Sequence, residues 1–63
     1  MLAAEMPGAK PVHQFEPGAR VRFTDDGFVF VVGRLDGSCV NIRQDDKPDN
    51  AGPIRAWTMA VPA

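Results

Sequence analysis

Residues 15–44, FEPGARVRFTDDGFVFVVGRLDGSCVNIRQ, decide the fold. They hold three strand-like runs joined by two Asp-Gly turns, and most of the branched and aromatic apolar side chains fall among them. Residues 19–24 alternate: Val21 and Phe23 point one way, Arg20, Arg22 and Thr24 the other, as period 2 requires of a half-buried strand. Asp25-Asp26-Gly27 turns the chain, with Gly27 expected in the left-handed conformation of a tight hairpin. Residues 28–35 form the longest apolar run and, being apolar on both faces, read as the central strand. Gly33 inside it marks a bulge or bend. Asp36-Gly37 is a two-residue hairpin signal. Residues 38–44 return with Val40 and Ile42 on one face and Cys39, Asn41 and Arg43 on the other.

Turn lengths set the faces, because directly opposed side chains share one. A three-residue first turn and a two-residue second turn pair Val21 with Val31 and Val31 with Ile42. One face then collects Val21, Phe23, Val29, Val31, Val40 and Ile42, a core for Ile54 and Trp57 to close. The other collects every arginine except Arg55 (Arg20, Arg22, Arg34 and Arg43) around Phe28, Phe30, Val32 and Asn41. A two-residue first turn instead sends Phe30 and Val32 to join Phe23, since a one-residue slip reverses every face.

Outside this stretch the signals thin. Residues 1–14 carry prolines, a glycine and alanines with no period, and read as a disordered, mobile N-terminal arm. Residues 15–63 form the domain. Residues 45–53, DDKPDNAGP, read as the longest polar loop. Residues 54–61, IRAWTMAV, supply a last strand in which Trp57 is expected to anchor the core.

Sixty-three residues make a single, marginal domain, one that buries only about 60% of the surface of its unfolded chain. Such chains lean on disulfides, metals or partner chains. Cys39 is the sole cysteine and His13 the sole histidine, so no internal disulfide or cysteine zinc site can be assembled, and His13 lies in the arm with no partner to make it a base. Asp45, Asp46 and Asp49 lack the alternating pattern of a calcium loop. No cofactor is implied, and no pair of groups is poised for acid–base work, so the chain reads as a non-enzyme. With a net charge of −1, no long apolar run and no export signal, the expectation is a cytoplasmic protein with no membrane partner.

The fold class that follows is all-β: an SH3-like small barrel of four to five antiparallel strands behind a mobile arm. Its docking surface is expected to be Arg20, Arg22, Phe28, Phe30, Arg34, Asn41 and Arg43. Arginines among aromatics suit a protein partner or a second copy, and equally RNA or single-stranded DNA.

Phe15-Glu16-Pro17-Gly18, then Arg20-Val21-Arg22, Asp26-Gly27-Phe28 and Gly33 resemble a KOW motif. That motif opens the SH3-like domains of NusG-type transcription elongation factors and of some ribosomal proteins. The resemblance spans residues 15–35 and implies a non-catalytic module docking RNA, a ribosomal surface or a protein. The arm, Gly18-Ala19-Arg20-Val21-Arg22 and Val32-Gly33 are also similar to plasmid-borne type II dihydrofolate reductases, short barrels that build one pore from four identical subunits. Their pore-lining Val-Gln-Ile-Tyr segment is missing; Ile54-Arg55-Ala56-Trp57 stands in its place without the glutamine and tyrosine. Residues 34–38 are similar to part of a PilZ cyclic-dinucleotide site but lack its paired arginines. The compact acidic design suits an accessory protein of a phage or mobile element.

Overall fold

The computed structural model describes residues 2–63. It is all-β, with six antiparallel strands in one sheet and short 3-10 turns at Ala3–Glu5 and Val12–Gln14. The strands are β1 (Lys10–Pro11), β2 (Arg20–Arg22), β3 (Phe30–Asp36), β4 (Cys39–Gln44), β5 (Lys47–Arg55) and β6 (Met59–Pro62). Their order in the sheet is β1-β6-β2-β3-β4-β5. Thus β2 to β5 form a meander, and β6 returns to pair with β2. Among the described residues no helix is long and apolar enough to cross a membrane.

The sixth strand comes from the segment expected to be an arm. Lys10 and Pro11 pair with Ala60 and Met59. Val12 is fully buried, its N–H donating to the Thr58 carbonyl at 2.8 Å. Nearer the terminus, Ala3 is buried and donates its N–H to the Phe23 carbonyl at 2.9 Å. These are single-residue anchors, so they leave no periodicity for a sequence pattern to register.

Both hairpins differ from expectation by one residue. In the first, Val21 faces Phe30 and Arg20 faces Val31. Residues 23–29 leave the ladder because Thr24 bridges to Leu2 and its carbonyl accepts the Gly27 N–H at 3.3 Å. Gly27 is not left-handed; among the described residues positive φ is confined to Gly8, Gly18 and Gly37. In the second hairpin Asp36 faces Cys39, which makes Gly37 and Ser38 the central pair. Gly37 has φ +63° and Ser38 a negative φ, the pattern of a type II′ turn. The expected bulge is present: between Val32 and Leu35 the register shifts, so that Val32 faces Ile42 and Leu35 faces Val40.

Phe30 and Val32 therefore turn inward, and Val31 turns outward. The core gathers Val12, Val21, Val32, Val40, Ala56 and Ala60, with Phe15, Ala19, Phe23, Phe30, Ile42 and Ile54 packed against it. The Phe23 and Phe30 rings meet with centroids 5.4 Å apart, tilted by 58°. Val40 on β4 and Ala60 on β6 share this cluster although β2 and β3 lie between them, so the sheet curls around its contents. The largest fully buried side chains are valines, which makes the core thin.

The expected polar loop is for the most part strand: only Asp45 and Asp46 turn, and β5 runs along the free edge of the sheet. An edge tolerates Pro48 and Pro53, whose missing N–H groups need not enter a ladder. Arg43 faces Ala51 and Gln44 faces Lys47, so residues 48–50 bulge out. Buried Gln44 braces that bulge: its Oε1 accepts from Asn50 Nδ2 and its Nε2 donates to Asp46 Oδ1, each at 2.9 Å. Trp57 does not close the core. It sits in the turn after β5, 55% exposed, with the Arg55 guanidinium 5.4 Å from its ring centroid.

Candidate docking face

Alternation along β2, β3 and β4 turns a second set of side chains away from the core. The register lays Arg20, Val31, Arg43 and Ala51 in one row across β2, β3, β4 and β5. Val31 is only 6% exposed although it points outward. The flanking arginines are placed to shield it with their aliphatic stems while their charged ends stay in water.

Beside this row the bulge opens a notch. Gly33 has no side chain, and a Cβ there would stand 2.6 Å from the Asn41 carbonyl oxygen. The space left measures about 130 Å³ and is lined by Val31, Gly33, Asn41, Ile42, Arg43 and Ala51. At the rim Asp45 donates its N–H to the Val29 carbonyl at 2.9 Å, and its carboxylate lies 3.4 Å from Arg20 Nε. Phe28, 65% exposed, shares a depression with Val29, Asp45 and Asp46.

Of the seven residues expected to form a contact surface, the fold brings Arg20, Asn41 and Arg43 onto one face. Arg34 is exposed in the neighbouring bulge. Phe28 stands at the rim. Arg22 lies opposite Val61 and is half-buried, its Nε buried without a hydrogen-bond partner. Phe30 is not on this face at all: the register shift puts it in the core against Phe23. Val31, Ala51 and Asp45 belong to the face and were not anticipated, because only the register identifies them.

No family model matches the chain, and neither a curated protein nor a solved structure matches it. What the face can do must therefore come from its own chemistry. Guanidinium and amide donors beside an apolar floor bind an anionic group through charge-assisted hydrogen bonds. The other sequence candidates lie apart. Cys39 is half-buried in a row between Asp36 and Arg55. Among the described residues, His, Cys, Asp and Glu side chains form no group of three that could hold a metal ion.

Proposed function

We propose that the chain is a non-catalytic, SH3-like binding module that docks a protein partner through this outer face. Arg20, Arg43 and Asn41 surround Val31 there, with Arg34 and Phe28 at the rim. The observation that carries the proposal is the row Arg20–Val31–Arg43–Ala51, two cations flanking an apolar centre on a four-strand platform. The SH3-like reading is supported by the meander of β2 to β5 with β6 returning beside β2. A larger depression of about 260 Å³ opens along β5 on the core side, lined by Phe30, Ile42 and Ile54 among others. No charged side chain lines it, so it has less to define an occupant.

Nucleic acid is the weaker partner. Single-strand binders stack bases on aromatic platforms set among cations. Here Phe30 is in the core, and Phe28 shares its depression with Asp45 and Asp46, whose charges oppose phosphate.

The test compares proteins retained from a nuclease-treated lysate by the immobilised chain and by its Arg20→Glu, Arg43→Glu variant. A defined partner held by the parent and by Trp57→Ala, and lost by the arginine variant, supports the face. Retention indifferent to the arginines overturns it, and retention from untreated lysate that is lost after nuclease treatment transfers the role to nucleic acid.

A further inference from the structure

Resting on that docking face, we infer that the partner presents an extended acidic segment, one carboxylate of which enters the notch beside Arg43 and Asn41. Asp45 is this chain's own competitor for a second carboxylate, at Arg20. Three observations lead there.

The notch, at about 130 Å³, is roughly the liquid volume of four waters, which suits one short side chain. Two of its lining residues, Arg43 and Asn41, carry side-chain donors, while Val31, Gly33, Ile42 and Ala51 make the rest of the lining apolar. Low polarity beneath a charge-assisted hydrogen bond strengthens it. Among the described residues Arg43 has no ion-pair partner; its neighbours across the ladder are Val31 and Ala51.

Arg20, the other cation of the row, already holds a carboxylate. Asp45 reaches it from the turn after β4, and both side chains are exposed. Exposed pairs of this kind are weakly held, so an incoming carboxylate can replace Asp45 without a large penalty. The contact therefore shows which ligand chemistry Arg20 accepts.

Spacing sets the form of the segment. Arg20 and Arg43 stand two strands apart, about 10 Å at the usual inter-strand separation. Same-face side chains two residues apart on an extended segment are about 7 Å apart, a gap that two flexible arginines close.

The experiment uses the full chain and three labelled probes: Val-Glu-Val-Glu-Val, its glutamine counterpart, and an oligothymidine. Affinity is read by fluorescence anisotropy and the site by amide chemical-shift mapping. The glutamate peptide is expected to bind about ten-fold tighter than the glutamine peptide, and Arg43→Gln to remove a similar factor. Asp45→Asn should tighten binding about two- to five-fold. Asp36→Asn, the same charge change in the other hairpin, should leave affinity unchanged. Failure of the glutamate peptide to bind overturns the inference. So do equal binding of the two peptides, an equal response to Asp36→Asn, and preference for oligothymidine. Peptide shifts that cluster around Trp57 rather than Val31 overturn the docking face itself, which separates the two failures.

Discussion

Gly33 and Asn41 approach so closely across β3 and β4 that a Cβ on Gly33 would lie 2.6 Å from the Asn41 carbonyl oxygen. The contact is with backbone, so no side-chain rotation relieves it. Gly33 has no positive φ, and at an unhindered site the change to alanine would stabilise by about 0.4–1 kcal/mol through the unfolded chain. Here overpacking, about 1–3 kcal/mol, outweighs that gain. Gly33→Ala is expected to lower Tm by several degrees, at about 4–8 °C per kcal/mol for a domain of this size. Gly52→Ala, with nothing within 4 Å of the added carbon, should hold or raise it. Thermal melts followed by circular dichroism decide both.

The first hairpin's register makes Phe23 and Phe30 partners rather than residues of opposite faces. Ring pairs of this geometry contribute about 0.5–1.5 kcal/mol beyond their burial. A double-mutant cycle with Phe23→Leu and Phe30→Leu should return a coupling in that range. A coupling near zero would restore the register in which Phe30 faces outward among the arginines.

Val12 is expected to behave as a core residue. Truncation to alanine removes two buried carbons, worth about 1.6 kcal/mol at about 0.8 kcal/mol each, before any cavity cost. Val12→Ala should therefore cost about 2 kcal/mol in urea unfolding. Exposed His13, its immediate neighbour, should tolerate alanine within about 0.5 kcal/mol. Equal small effects at both positions would mean that the segment is the loose arm its composition suggests.

Patterns carried by several residues were legible in the sequence, and single contacts were not. The strands at Arg20–Arg22, Phe30–Asp36 and Cys39–Gln44 follow from alternation and β-branched content, and the Gly33 bulge from a glycine inside an apolar run. The inward set Val21, Phe23, Val40 and Ile42 was correctly placed for the same reason. Val31 and Phe30 exchanged faces because each hairpin pairs one residue away from the expected register: the second turn keeps two residues but centres on Gly37 and Ser38, and in the first residues 23–29 leave the ladder. There Thr24 bridges to Leu2, a contact between distant parts of the chain. Of the docking face, Asn41 and Arg43 stay together because residues at even spacing on one strand share a face whatever its register, and Arg20 stays with them because the one-residue shifts on the two sides of β3 cancel. Val31 and Asp45 join it only through pairing between strands.

Gln44 is the buried polar side chain that braces the β5 bulge through Asn50 and Asp46. Both partners are exposed, so water can replace Gln44 for them. Gln44→Met keeps most of the volume and leaves no buried group unsatisfied, and should cost under about 1.5 kcal/mol. Gln44→Ala loses the volume as well and should cost more. In each case amide hydrogen exchange should quicken first at residues 48–50, where the bulge loses its brace.

Trp57 is the sharpest departure from what composition suggests, for a lone tryptophan in a small domain usually anchors the core. Here it is 55% exposed on a turn, with the Arg55 guanidinium 5.4 Å from its ring centroid. An exposed cation–π contact contributes about 0.5–1 kcal/mol, well below the about 3–5 kcal/mol for removing a core aromatic. Trp57→Ala should accordingly cost no more than about 1 kcal/mol. The native fluorescence should resemble that of tryptophan in water, be quenched readily by acrylamide, and move little on unfolding in urea. A blue-shifted, quencher-resistant emission that reddens on unfolding would place Trp57 inside. It would also require the end of β5 to enter the core rather than pass the β3–β4 hairpin, where Ala56 now donates its N–H to the Ser38 carbonyl at 2.9 Å.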